Sequence, residues 1–205
     1  MLKSLLDGVM KRRAGQLMEH VGEWLPMQGP VLDLGSGTGH LSDRLRRERG
    51  LEVVTADVSD IHVVGPPPVL ICDGVLPFDE GTYEAALLLF MLAYPSDAPA
   101  VLAEAARVTR GPIILVQSLH ANRFGYAWLR VREFLWTFVA FHVSKLLGYV
   151  PPGAEFSMNT RRFFTASELR REVIAARLRI RSRRERALLP GGSLVIAAWN
   201  LARDE

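Results

Sequence analysis

Val31-Leu32-Asp33-Leu34-Gly35-Ser36-Gly37-Thr38-Gly39-His40-Leu41 reads as a short apolar strand, a tight glycine turn and the opening of a helix. Glycine allows positive φ and close backbone approach to a ligand. A loop feeding a helix N-terminus also offers unpaired N–H groups. The acidic residue ahead of the glycines gives the pattern D-x-G-x-G-x-G. A loop that only cradles phosphate has no obvious use for a carboxylate there, whereas an ammonium or sulfonium cation does.

Working outward, 205 residues with 49% hydrophobic content suit one core-forming domain. Its single cysteine, Cys72, excludes a disulfide framework and a cysteine-rich zinc site, and its apolar surroundings predict a buried side chain. No apolar run reaches 18 residues and no secretory pattern opens the chain, so the expectation is a cytoplasmic protein, with a peripheral membrane surface left open. Charge is uneven: residues 1–122 hold 10 Lys/Arg against 15 Asp/Glu, and residues 123–186 hold 14 against 5. The basic half would suit an anionic ligand or a membrane surface, or be no more than a solvated face.

Residues 3–24 have the apolar stripe of a helix, ended by Pro26. A strand at 30–34 and a helix at 39–49 are followed by a second strand, 51–56, ending at Asp57. A carboxylate at that position can accept two ribose hydroxyls. Between Ser59 and Pro68, the run Gly65-Pro66-Pro67-Pro68 leaves room for one helical turn or an extended loop, so the sheet face there is expected to be thinly covered. A third strand near 69–72 leads to Asp73-Gly74-Val75-Leu76-Pro77-Phe78-Asp79-Glu80-Gly81-Thr82-Tyr83-Glu84. Strands at 85–90 and 113–117 flank a helix at 97–109. The segment 124–147 is long, basic and aromatic, and closes at Pro151-Pro152-Gly153. A helix at 167–176, capped by Thr165 or Ser167, precedes strands at 178–183 and 193–199.

The glycine stretch resembles motif I of the class I S-adenosylmethionine-dependent methyltransferases. Asp73–Glu84 resembles the D-x-x-x-L-P-F-x-[DE]-x-x-[FY]-[DE] passage of their small-molecule, ubiquinone/menaquinone-type (type 11) branch. The resemblance implies an α/β fold, a Rossmann-like three-layer sandwich. Its seven-stranded, mostly parallel sheet would end in an antiparallel hairpin, with a shortened helix B region and a lid insertion at 121–165 after the fifth strand. It implies S-adenosyl-L-methionine as cofactor, held by Asp33, Gly35, Ser36, Gly37 and Gly39 at the methionine end. Asp57 would serve the ribose, Val58, Asp73, Gly74 and Val75 the adenine, and Phe90 an apolar wall. No metal is expected.

The implied reaction is methyl transfer to an apolar or amphipathic small molecule, at oxygen or carbon. An oxygen nucleophile calls for a base. His120, just past the fifth strand, leads the candidates and His142 follows, with a structural role open for both. Arg123, Arg130, Arg161 and Arg162 would suit a carboxylate or phosphate on an aromatic acceptor. The segment 124–147 could form a lid, a peripheral membrane contact or a homodimer interface; nucleic acid is the least favoured partner. A non-catalytic protein on the same fold, or a cofactor-binding enzyme of another reaction type, stays open as the alternative.

Overall fold

The computed structural model describes residues 2–72, 74–135, 141–150 and 160–204. Asp73, Trp136, Phe138, Val139 and Glu155 lie outside them. Strands β1 (Pro30–Leu34), β2 (Glu52–Asp57), β3 (Val69–Leu70), β4 (Ala85–Leu89), β5 (Ile113–His120), β6 (Leu178–Ala187) and β7 (Leu194–Arg203) form one sheet in the order β3-β2-β1-β4-β5-β7-β6. Pairs from β3 through β5 are parallel, and β7 runs antiparallel to both β5 and β6. The expected Rossmann-like sheet with its terminal antiparallel hairpin is therefore the fold.

The central strands are apolar on both faces because both faces are covered. In β5, Ile113, Leu115 and Leu119 point into a cluster with Leu102 and Val108 of α3 (Ala98–Val108) and Leu169 and Val173 of α6 (Ala166–Ala175). Ile114 and Val116 point the other way, into a cluster with Ala14 and Val21 of α1 (Leu2–Val21) and Leu41 and Leu45 of α2 (His40–Arg49). The strand order runs outward in both directions from the β1–β4 boundary. That leaves a crevice at the carboxyl ends of those two strands, where open α/β sheets bind ligands.

The passage containing Leu76-Pro77-Phe78 is tied to α3. Arg107 donates to the carbonyls of Phe78 (2.8 Å) and Leu76 (3.0 Å), and Glu104 accepts from Leu76 N–H (3.1 Å). Thr165 and Glu168 close a reciprocal capping box at the start of α6.

One expectation needs correction. Cys72 is exposed, because β3 stops at Leu70 and leaves it in the loop beyond. Arg44 and Arg46 of α2 are half-buried, and Arg46 donates to the Val53 carbonyl (2.6 Å), stitching α2 to β2. As the proline run implied, residues 58–68 form no helix. The thin face is nevertheless filled in part, since Ile61 packs with Val150, Phe141 and Tyr149. After β5 come α4 (Arg123–Phe134) and α5 (Phe141–Leu146).

Candidate active site

The glycine loop leaves β1 with Gly35 N–H donating to the Ala56 carbonyl (2.8 Å), and Gly35, Gly37 and Gly39 all have positive φ. A Cβ at Gly35 would lie 2.8 Å from Met91 Cβ, and one at Gly39 would lie 2.5 Å from the Val64 carbonyl oxygen. At Gly37 no atom of the described residues stands within 4 Å. Two glycines thus serve close chain packing, while the middle one opens onto space. Gly39 caps α2 without any side-chain acceptor, so the first-turn N–H groups stay available.

Two carboxylates support this loop. Asp57 Oδ2 accepts from Gly37 N–H (2.9 Å), and Oδ1 accepts from the N–H groups of Val58 (2.8 Å) and Ser59 (3.4 Å). Burial raises its pKa, opposed by those three donors. An ionised carboxylate has about four acceptor positions, so room remains for a further donor. Asp33 is 2% exposed and accepts from Ser42 of α2. Burial pushes its pKa up to about 6, with the Ser42 bond opposing and the charge of Asp57 adding to the rise.

The segment 59–68 binds the loop from outside. His62 Nδ1 donates to the Pro66 carbonyl (2.6 Å), and its Nε2 is hydrogen-bonded to Ser36 Oγ (2.8 Å). Val63 N–H donates to the Thr38 carbonyl (3.1 Å). On the other side His40 Nε2 meets Asp7 Oδ1 of α1 (3.0 Å), and Tyr149 Oη lies 3.4 Å from the same nitrogen. Lys11, first, and His40 hold the Asp7 carboxyl below its ordinary range.

Val58 (77% exposed) and Val75 (61% exposed) present bare apolar surface after β2 and β3, and Gly74 beside Val75 has positive φ. Phe90 follows β4 in the left-handed region (φ 59), an unusual conformation for an aromatic residue. Its ring is not a bare wall, because the Arg13 guanidinium of α1 lies 4.8 Å from its centroid. His120 ends β5, its ring edge-on to Tyr126 (5.3 Å), and its Nδ1 is buried with no hydrogen-bond partner among the described residues. His142 is exposed on α5 with its ring edge-on to Phe141. The structure therefore gathers Asp33, Gly35, Ser36, Gly37, Gly39 and Asp57 in one loop system, sets Phe90 and His120 on the neighbouring strand ends, and leaves His142 outward.

Sequence reasoning missed His62, Asp7, Arg13 and Arg132. For His62 a local signal existed: Asp60 Oδ1 accepts from His62 N–H (3.0 Å), a short Asx-type turn, and the proline run offers carbonyls without competing donors. The others come from helices far away in sequence and carry no motif.

Residues 32–114 match the family described as "Methyltransferase domain". Over these residues, fewer than half of the 205, the chain is similar to a methyltransferase domain. A search of curated proteins gave no match. Among solved structures, a geranyl diphosphate C-methyltransferase from Streptomyces coelicolor A3(2) is 14% identical, covers 94% of this chain and 80% of its own, and superposes with a TM-score of 0.59. A 1,6-didemethyltoxoflavin-N1-methyltransferase from Burkholderia thailandensis is 18% identical, with 96% and 78% covered and a TM-score of 0.55. The [4+2]-cyclase SpnF is 13% identical, with 94% and 80% covered and a TM-score of 0.63. At these identities the likeness is one of fold. The loop system fits S-adenosylmethionine: open space at Gly37, residual acceptor capacity on Asp57, and a buried carboxyl at Asp33 that a cation would favour ionised.

Proposed function

We propose that this methyltransferase domain passes a methyl group from S-adenosylmethionine to an apolar or amphipathic small molecule, at oxygen or carbon. The observation that carries the reading is the open face of the glycine loop at Gly37, bordered by the partly used carboxylate of Asp57 and the bare side chain of Val58. The cofactor supplies an electrophilic methyl group on a sulfonium, which leaves as a neutral thioether. Asp57 accepts a ribose hydroxyl on its remaining lone pair. Asp33 faces the cationic end, Val58 and Val75 wall the adenine, and Asp73 and Gly74 read its edge. The chain contributes chiefly by holding nucleophile and methyl carbon in line and by excluding water. For an oxygen nucleophile, His120 takes the proton: its Nδ1 has no partner among the described residues, and its ring is set against Tyr126.

Residues 121–165 form the acceptor lid in this reading. On α4, Phe124, Trp128 and Val131 remain exposed, while Gly125 and Leu129 are buried. The same stripe would serve a peripheral membrane contact or a homodimer. Cosedimentation with anionic vesicles and sedimentation velocity separate these uses from a plain lid. Among the described residues no helix is long and apolar enough to cross a membrane.

The deciding experiment is calorimetric titration with S-adenosylhomocysteine. Asp57→Ala weakens binding by about 2 kcal/mol or more, the loss of charge-assisted hydrogen bonds; unchanged affinity would sink the assignment. His120→Ala lowers turnover and leaves cofactor affinity nearly intact; wild-type turnover removes His120 from the chemistry.

A further inference from the structure

Two arginines from opposite ends of the fold meet beyond the cofactor loop. Arg13, on α1, stacks over Phe90 at the end of β4. Arg132, on α4, turns both terminal nitrogens toward Ser118 Oγ of β5, at 3.4 Å each, which is long for a hydrogen bond and leaves the guanidinium underused. Among the described residues neither forms an ion pair, whereas Arg162 is taken by Glu172 (2.8 Å), Arg107 by Glu104 and Arg184 by Glu23. Glu133, next to Arg132, accepts instead from Thr160.

Both arginines are open to solvent by area, yet the surrounding protein desolvates them and holds their pKa below the ordinary value. Phe90 N–H donates to the Val116 carbonyl (2.7 Å), so the Phe90 and Ser118 contacts of the two guanidiniums lie at adjacent strand ends. The charge of Arg132 further lowers that of Arg13, so the two guanidiniums stand close enough to repel. Tyr94, in the turn after β4, lies within electrostatic reach of both; burial, then Glu133, pushes its pKa up to about 12, so it stays a neutral hydroxyl donor. Glu133 offsets the charge of Arg132 only in part, since its carboxylate also accepts from Thr160, and a ligand anion would offset both guanidiniums.

We propose that Arg13 and Arg132, with the hydroxyls of Tyr94 and Ser118, form an anion subsite that holds a carboxylate or phosphate group on the methyl acceptor. This rests on the function proposed above and names the class of acceptor: an apolar body bearing one anionic group. The pair straddles the ends of β4 and β5, across β4 from the glycine loop on β1, which puts it on the acceptor side of the crevice. Arginine suits the task because its planar fork matches carboxylate and phosphate geometry. It displaces the sequence expectation for Arg162, whose side chain is committed to Glu172 and the Phe164 ring.

The test titrates the full chain, saturated with S-adenosylhomocysteine, with 2-naphthoate and with pyrophosphate at low salt. Wild type binds at least one probe. Arg13→Gln and Arg132→Gln each weaken that binding about tenfold or more, as loss of a charge-assisted contact implies. Arg171→Gln, on the exposed face of α6, leaves it within about twofold by the same scale. Arg132→Lys, which keeps charge without the fork, falls between and covers the case in which the glutamine variant does not fold. No binding of either probe by wild type, or equal binding by the variants, overturns the proposal. A loss of S-adenosylhomocysteine affinity of about tenfold in the variants, with anion binding intact, also overturns it, by assigning the pair to the cofactor's own carboxylate. Failure of wild type to bind S-adenosylhomocysteine at all would instead count against the methyl-transfer reading.

Discussion

Asp33 sets the terms at the residue scale. A carboxyl that titrates at about 6 in the fold and near 3.8 in the unfolded chain binds its proton more tightly when folded. Its contribution to stability is therefore fully present below about pH 4 and is lost as the pH rises through 6. Above that, keeping the group ionised costs the apoprotein about 3 kcal/mol, the free energy that separates the two titration midpoints. Asp33→Asn should raise the Tm of the apoprotein at about pH 7.5, and the gain should shrink toward zero as the pH is lowered to about 4. In calorimetry at neutral pH the same variant should bind S-adenosylhomocysteine more weakly, since the buried charge it lacks is the one the ligand's ammonium would neutralise. A variant that neither gains stability nor loses affinity would leave Asp33 as a simple partner of Ser42.

At the scale of the element, the glycine loop divides its labour among residues that look equivalent in sequence. Ala at Gly39 must adopt positive φ and also collide with the Val64 carbonyl, part of the segment that His62 fastens down. Ala at Gly37 meets only the conformational penalty, about 1 kcal/mol. Thermal melts should show Gly39→Ala as the more destabilised of the two. Titration with S-adenosylhomocysteine should show Gly37→Ala losing affinity out of proportion to its small change in Tm, because the added methyl enters the open space. Equal melts for both variants would mean that the 59–68 segment yields easily. The motif announces three glycines; the distances to Met91 and Val64 tell which of them the fold cannot spare.

The whole molecule is held by contacts that cross the chain. Asp7 on α1, His40 at the start of α2 and Tyr149 beyond α5 meet at one imidazole, and Ile61 and Val150 pack beside them. Asp7→Ala should speed hydrogen–deuterium exchange in residues 2–21 and 141–147 together, with little change in β4 and β5. Acceleration confined to α1 would show that the two pieces close independently. Much of this architecture was legible beforehand. Buried parallel strands are apolar without alternation, and glycines and acidic residues at strand ends recur at fixed spacing, so the sheet, its hairpin, the loop and Asp57 could all be read. Cys72 was misread because an apolar run does not reveal that its strand ends two residues earlier. Arg13 and Arg132 were invisible for a different reason: helices bring them together from opposite ends of the chain, and nothing local marks the encounter.

Those arginines, together with His120, Asp7 and Tyr149, fall outside the family-matched stretch 32–114. On the proposed reading the matched stretch carries the donor's loop and Tyr94, while the two arginines and His120 come from the flanks. Drift in the flanks would redirect such an enzyme toward new chemistry while its ancestry remained recognisable, and a chimera that exchanged only the two flanks with a distant relative should inherit the relative's choice of acceptor.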